Sequence, residues 1–233
     1  MSQMKVAIYL FPQADLLDFS GPAEIYCYPH SLEPGNTQPP PFNVTSFAHE
    51  KSVPSASPAL VYQPNMSFAE MSAQITDYDI LVIPGAHDNT VLDLIASENG
   101  KQICALIQKF AAAKPRPETG KRFLQSVCTG SLVLAASGVL NGRKATTHHL
   151  SFDSLKKVAD EAAQGGGSRV EIVRQRYVDS GVTEAGTRIV TAGGVSSGID
   201  ATIYIIGQVY GQAKADFVAE MAEFERRDAA WGV

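Results

Sequence analysis

The 233-residue chain is 45% hydrophobic and 18% charged, enough apolar material to bury a core without disulfide staples. Its net charge is −5 and no Lys/Arg block exceeds Arg226-Arg227, which prepares no face for a phosphate backbone and excludes nucleic acid as the expected partner. Three cysteines without CxxC or Cys/His ligand spacing predict reduced thiols, no disulfide framework and no metal site.

The first predicted element is a β-rich apolar strand, "KVAIYLF" (5–11). It has only Lys5 as a basic lead and is followed by Asp15 and Asp18, so it is too short and too soon charged for a secretory segment. No run approaches the ~18 apolar residues of a spanning helix, and a soluble, cytoplasmic protein without a membrane partner is expected. "DFSGPAEIY" then reads as a helix capped by Asp18 or Ser20. "DYDILVIPG" (77–85) and "RFLQSVCTG" (122–130) repeat the form of a buried strand that must stop at a turn.

Between them, Ile103, Leu106, Ile107 and Phe110 lie on one face of an amphipathic helix in "KQICALIQKFAAA". Strand, helix and strand with continuous apolar strands predict a parallel sheet covered on both sides. Next come a helix in "SLVLAASGVL" ending near Gly138, a short strand in "RKATTHH" and a helix in "SFDSLKKVADEAA". "RVEIVRQRYVDS" and "TRIVTAGG" predict a small antiparallel excursion, and "GIDATIYIIGQVYG" a closing buried helix. "EPGNTQPPP" (33–41), "KPRPETG" (114–120) and "QGGGS" (164–168) are surface insertions by composition. With no repeat and no dividing linker, residues 1–233 read as one domain.

In an open parallel sheet ligands bind beyond the carboxyl ends of the strands, where Cys128, "PGA" (84–86) and the Asp18 loop should converge. A strand-to-helix turn lifts its central side chain out of the sheet, as in a nucleophile elbow, and aims a helix N-terminus at it. That end is expected to favour thiolate over thiol, with the N–H groups of Thr129, Gly85 and Ala86 holding developing negative charge. The alternatives are a buried inert cysteine at 128 and a helix N-cap at 18. Cys27 and Cys104, inside helices, read as packing residues. His148 is either a packing residue or, oriented by Asp200, part of a Cys-His-Asp group. His30 and His49 have no chemical context, and Gly193, Gly194 and Gly198 are expected to permit close helix–sheet packing.

In this order and at these separations, "LLDFSGPAEIY", "DILVIPGA", "SVCTGSLVLAASGVLNGRKATTH" and "GGVSSGIDATIYII" resemble the ThiJ/PfpI superfamily, from residue 5 to about residue 225. The resemblance implies an α/β, flavodoxin-like three-layer sandwich of the class I glutamine amidotransferase-like kind, with a mostly parallel central sheet. Many members carry a glutamate near the thiol and a histidine directly after it. Here Asp18 in "DFSGP" and Thr129 after Cys128 resemble the isocyanide hydratase group instead. Two departures from that group's pattern, His87 after "PGA" and His149 after "ATTH", are expected at the pocket rim.

The resemblance further implies a homodimer, a small isocyanide as substrate and no cofactor, with Cys128 as nucleophile and Asp18 as general acid/base. Cys128 would attack the terminal carbon while Asp18, or a water it orients, supplies a proton; water would then release an N-substituted formamide. Such proton traffic requires an Asp18 pKa nearer neutrality than ~3.9, which burial can provide. Glyoxalase-, deglycase- or amidase-like chemistry, a cysteine redox sensor and the amino-terminal domain of a transcriptional regulator are the rival expectations. The regulator would continue into a helix-turn-helix region, which is not expected after Val233.

Overall fold

The computed structural model describes residues 2–28, 39–57, 60–163 and 167–230. Residues 33–38 and 164–166 of the expected insertions, and His30, lie outside them. In chain order the first half comprises β1 (Met4–Tyr9), α1 (Leu16–Cys27), β2 (Phe42–Ala48), β3 (Val53–Pro54), β4 (Val61–Tyr62), β5 (Met66–Ser67), α2 (Phe68–Gln74), β6 (Ile80–Ile83), α3 (Asp88–Ala96) and α4 (Glu98–Ala112). The second comprises β7 (Arg122–Ser126), α5 (Gly130–Ala136), β8 (Lys144–Ala145), α6 (Phe152–Ala162), β9 (Glu171–Ile172), β10 (Tyr177–Val182), β11 (Thr187–Ala192), α7 (Ser197–Tyr210) and α8 (Gln212–Met221).

Seven strands form the central sheet in the order β10-β11-β7-β6-β1-β2-β5, parallel throughout except where β10 pairs antiparallel with β11. Helices α1 and α7 pack together, as do α3 with α4 and α5 with α6, so both faces of the sheet are covered. This is the α/β sandwich with a small antiparallel part that the apolar strand runs predict. The middle strands explain why: Ile80, Leu81, Val82 and Ile83 of β6 are all inaccessible to solvent, which only a doubly covered parallel strand requires. The face of α4 carrying Ile103, Leu106, Ile107 and Phe110 is buried as its periodicity demands.

Several local expectations change. The strand expected over 77–85 is confined to Ile80–Ile83, because Ile75–Asp77 form a 3₁₀ turn. Helix α1 begins two residues before Asp18, with Asp15 as N-cap, and the Ser20 hydroxyl donates back to the Leu16 carbonyl, so neither Asp18 nor Ser20 caps it. The strand in "RKATTHH" is only Lys144–Ala145 and pairs with β9 outside the main sheet. The 114–120 segment is more than surface insertion: Arg116 and Thr119 grip the buried Asp79 carboxylate at 2.7–2.9 Å. That grip ties the chain entering β7 to the start of β6.

What the sheet order does for function is to place β1, β6, β7 and β11 side by side with their carboxyl ends on one edge. Strand β1 leads chain to β2 on one side while β6 lies on the other, so that edge is a topological switch point. The loops leaving these strands are stitched together. Asp15 N donates to Gly85 O (2.9 Å), Val127 N to Ile83 O (3.0 Å) and Cys128 N to Gly193 O (2.9 Å).

Candidate active site

Cys128 sits where β7 ends and α5 begins, and its φ of 56° lies in the left-handed region that residues with a Cβ adopt only under constraint. The constraint is visible on both sides. Its N–H is held by Gly193 O, and its carbonyl accepts from Thr147 Oγ1 (3.0 Å) and Ser131 Oγ (3.2 Å). Close backbone approach follows: a Cβ on Gly130 would lie 2.3 Å from Ile83 O, so glycine alone lets the elbow seat against β6. The side chain is 3% exposed but forms part of the wall of a cleft of about 460 Å³, with Asp15, His87, Asp88, His148 and Val195 among its neighbours.

Asp18, expected near the thiol from the first loop, arrives there from the first turn of α1 and is fully buried. One oxygen, Oδ2, accepts from Gly85 N at 3.0 Å, whereas Oδ1 has no hydrogen-bond partner of ordinary geometry among the described residues. Asp15, Asp18 and Cys128 bring one carboxylate oxygen each and Sγ within 4.8 Å of one another. Burial, then the Asp15 charge, push Asp18 up to about 8, against the opposing pull of the Gly85 N–H and the thiol. Asp15, half-buried, is raised by burial and drawn back by His148 and His87.

The thiol departs from expectation. Burial, reinforced by the Asp18 charge, pushes Cys128 up to about 12, and the N–H groups of Val195 and Thr129 only partly oppose this. Burial therefore works against the expected thiolate: α5 has seven residues, and its dipole is opposed by a desolvated site shared with two carboxyl groups. A cation at this trio would have to displace the protons that burial favours on Asp18 and Cys128.

The expected anion-holding amides are also redistributed. Gly85 N–H is committed to Asp18, and Ala86 N–H donates to Thr129 Oγ1 (2.9 Å), whose hydroxyl in turn donates to Ala86 O (2.6 Å). The amides acting on the sulfur are those of Thr129 and Val195, the second on a loop after β11 with φ 34°. Thr129 is thus a clamp between elbow and β6 loop. Thr129→Val should lower unfolding free energy by about 1–3 kcal/mol, the cost of leaving buried Ala86 groups without a partner. Urea denaturation measures it, and an unchanged midpoint would mean that water replaces the hydroxyl.

His148 lies in the turn after Thr147 and reaches the same cleft; its Nδ1 accepts from Leu150 N (3.3 Å), and burial, then His149, hold its pKa below the ordinary imidazole value. It is not oriented by Asp200, which is spoken for by Arg176 Nε (2.8 Å) and Arg227 N (2.7 Å). Of the two readings of His148, the Cys-His-Asp group is therefore the one the described residues do not form. His87 caps α3 through Asn89 N (3.4 Å) and lines the cleft, whereas His149 lines an adjoining cavity. His49, remote from the cleft, stacks on Phe68 with ring centroids 3.9 Å apart. Gly198 packs against Val127 as helix–strand contact requires, but Gly194 presses against the His148 ring. Asp15 and Val195 were not singled out by sequence reasoning; the offset of three between Asp15 and Asp18 on one helix was the available signal for the first.

The family model for DJ-1/PfpI matches residues 4–208. An isonitrile hydratase from Pseudomonas putida is 25% identical over 228 residues, covering 95% of this chain and 78% of that protein. Among solved structures, a ThiJ/PfpI family protein from Pseudomonas syringae superposes with a TM-score of 0.71 at 20% identity, covering 98% of this chain and 78% of that one. A protein described as an AraC family transcriptional regulator from Pseudomonas putida gives 0.68 at 15% identity, covering 94% and 99%. At these identities the structural matches speak for the fold. No described helix is long and apolar enough to cross a membrane.

Proposed function

The chain belongs to the DJ-1/PfpI family, and from that premise we propose that it hydrates isocyanides to N-substituted formamides through a covalent adduct on Cys128. The observation that carries this reading is a buried carboxyl, Asp18, with one oxygen unclaimed, its titration moved to about 8 and its position within 4.8 Å of a cleft-lining thiol. The similarity to an isonitrile hydratase along 95% of the chain points the same way.

In this scheme the Asp18 carboxylate takes the Cys128 proton as sulfur bonds to the terminal isocyanide carbon. The same proton passes to that carbon, giving a thioimidate R–N=CH–S with Asp18 again charged. A thiol that is neutral at rest suits this sequence, because the proton needed by the carbon is the one sulfur surrenders. Thr129 and Val195 N–H groups support the sulfur while it is anionic. Water then adds to the carbon, its proton reaching nitrogen by way of Asp18. Collapse of the tetrahedral species breaks the C–S bond, and the hydroxyl proton returns through Asp18 to sulfur as the formamide leaves.

The raised Cys128 pKa argues against the redox-sensor alternative, because peroxide reacts with thiolates. Incubation with one aryl and one alkyl isocyanide, followed for the matching formamides by mass spectrometry, tests the proposal. Stoichiometric consumption without turnover, or none at all, removes it.

A further inference from the structure

We propose that the cavity adjoining the thiol cleft is an anion subsite that selects isocyanides whose substituent carries a carboxylate, a specificity that rests on the isocyanide reading of Cys128. This cavity, about 310 Å³, shares His148 and Val195 with the cleft, so one elongated molecule can occupy both. Among the described residues its wall contains no acidic side chain; the titratable and charged side chains there are His148, His149, Arg174 and Arg176.

These four are not equivalent. Arg176 is buried and neutralised, its Nε on Asp200 Oδ2 at 2.8 Å and its Nη2 on Ser196 Oγ at 3.0 Å, so it forms part of the frame. Arg174 is exposed at the rim, and among the described residues its guanidinium has no hydrogen bond or ion pair. The His148 Nδ1 accepts from Leu150 N, which puts the proton of the neutral ring on Nε2 and makes that atom a donor. His149 lies beside it, with ring centroids 4.5 Å apart. An uncommitted guanidinium and two imidazoles on one wall are donors suited to a carboxylate.

The cleft on the other side of His148 has the opposite character. Asp15 and Asp88 contribute to its wall, and the Asp88 oxygens are engaged by Ser151 (2.5 Å) and Ser154 (2.6 Å). Charge thus changes sign along the joined opening, and an anionic substituent is repelled from the thiol end and held at the far end. The isocyano group is thereby turned toward Cys128. Phe152 on the cavity wall offers a face for an aromatic spacer.

The matched pair para-isocyanobenzoate and para-isocyanobenzamide tests this, since the two differ in charge and barely in shape. The acid is expected to show a roughly tenfold higher kcat/KM at low ionic strength. In Arg174→Gln the acid's kcat/KM should fall about tenfold, through KM, and Arg174→Lys should restore most of it. Equal values for acid and amide, or an acid preference that survives Arg174→Gln, overturns the subsite while leaving hydration intact. Should neither compound be hydrated, the hydratase reading falls and the subsite is still decided by calorimetry with para-formamidobenzoate and its amide. Tighter binding of the acid, lost in Arg174→Gln, supports it; equal binding overturns it.

Discussion

Cys128→Ser is expected to lower kcat/KM for formamide formation by about a thousandfold or more, with the fold retained. Serine preserves the side-chain volume and the backbone contacts that fix the elbow, namely Cys128 N to Gly193 O and Thr147 Oγ1 to the Cys128 carbonyl. What it removes is a soft, polarizable nucleophile whose proton Asp18 can take; a hydroxyl is harder to deprotonate and poorly matched to an isocyanide carbon. Loss of a residue that forms the covalent bond commonly costs on the order of 10³-fold or more. Steady-state kinetics beside a thermal melt separates the outcomes. Activity within tenfold of the parent in a folded variant would show that the adduct does not form on this sulfur.

Asp18→Asn should act on both activity and stability, with opposite dependence on pH. Activity requires the carboxylate, so kcat/KM of the parent should climb as pH rises through about 8, and Asn should abolish that rise and lower the rate roughly 10²- to 10⁴-fold. Stability runs the other way. Unfolded Asp18 loses its proton near 3.8 and folded Asp18 near 8, so between those values the native protein binds one proton more than the unfolded chain. The contribution is fully present below about 3.8 and is lost as pH rises through 8; across that window it amounts to several kcal/mol in order of magnitude. Asparagine, which has no proton to lose, should match the parent near pH 4 and exceed it in urea midpoint at pH 8 to 9. Midpoints that stay parallel from pH 4 to 9 would mean that the folded carboxyl titrates normally.

The parts legible in the sequence are those whose physics is local. The elbow is written in one stretch, "SVCTG", because an apolar strand, a turn and a small-residue helix start are consecutive there. The buried stripe of α4 is written in its spacing. Strand β2 was not anticipated, since Phe42–Ala48 has only its two ends well buried and a half-exposed middle that breaks the alternation. The short β3, β4 and β5 are two residues each and carry no periodicity at all.

The site was legible in its members and not in its electrostatics. Cys128, Asp18, Gly85, Ala86, Thr129 and His148 do lie together at the carboxyl edge, but which amide serves which atom depends on tertiary geometry. The Asp18 oxygen captures the Gly85 N–H only because α1 starts at Leu16, and the Thr129 hydroxyl captures Ala86 only because Gly130 lets the elbow close on β6. Val195 enters from a loop 67 residues beyond Cys128, and no spacing rule connects the two. The thiol's ionisation is illegible for a related reason: a helix end is visible in sequence, whereas the burial that opposes it is a tertiary property.

The left-handed backbone at Cys128 has an evolutionary corollary. At such an angle the residue without a Cβ is the comfortable occupant, and any other carries roughly 1–2 kcal/mol of conformational discomfort. Mutational drift filtered only by foldedness would therefore wander toward glycine at this position. A lineage that lost its substrate would be expected to surrender the sulfur early, while the buried strands around it persisted.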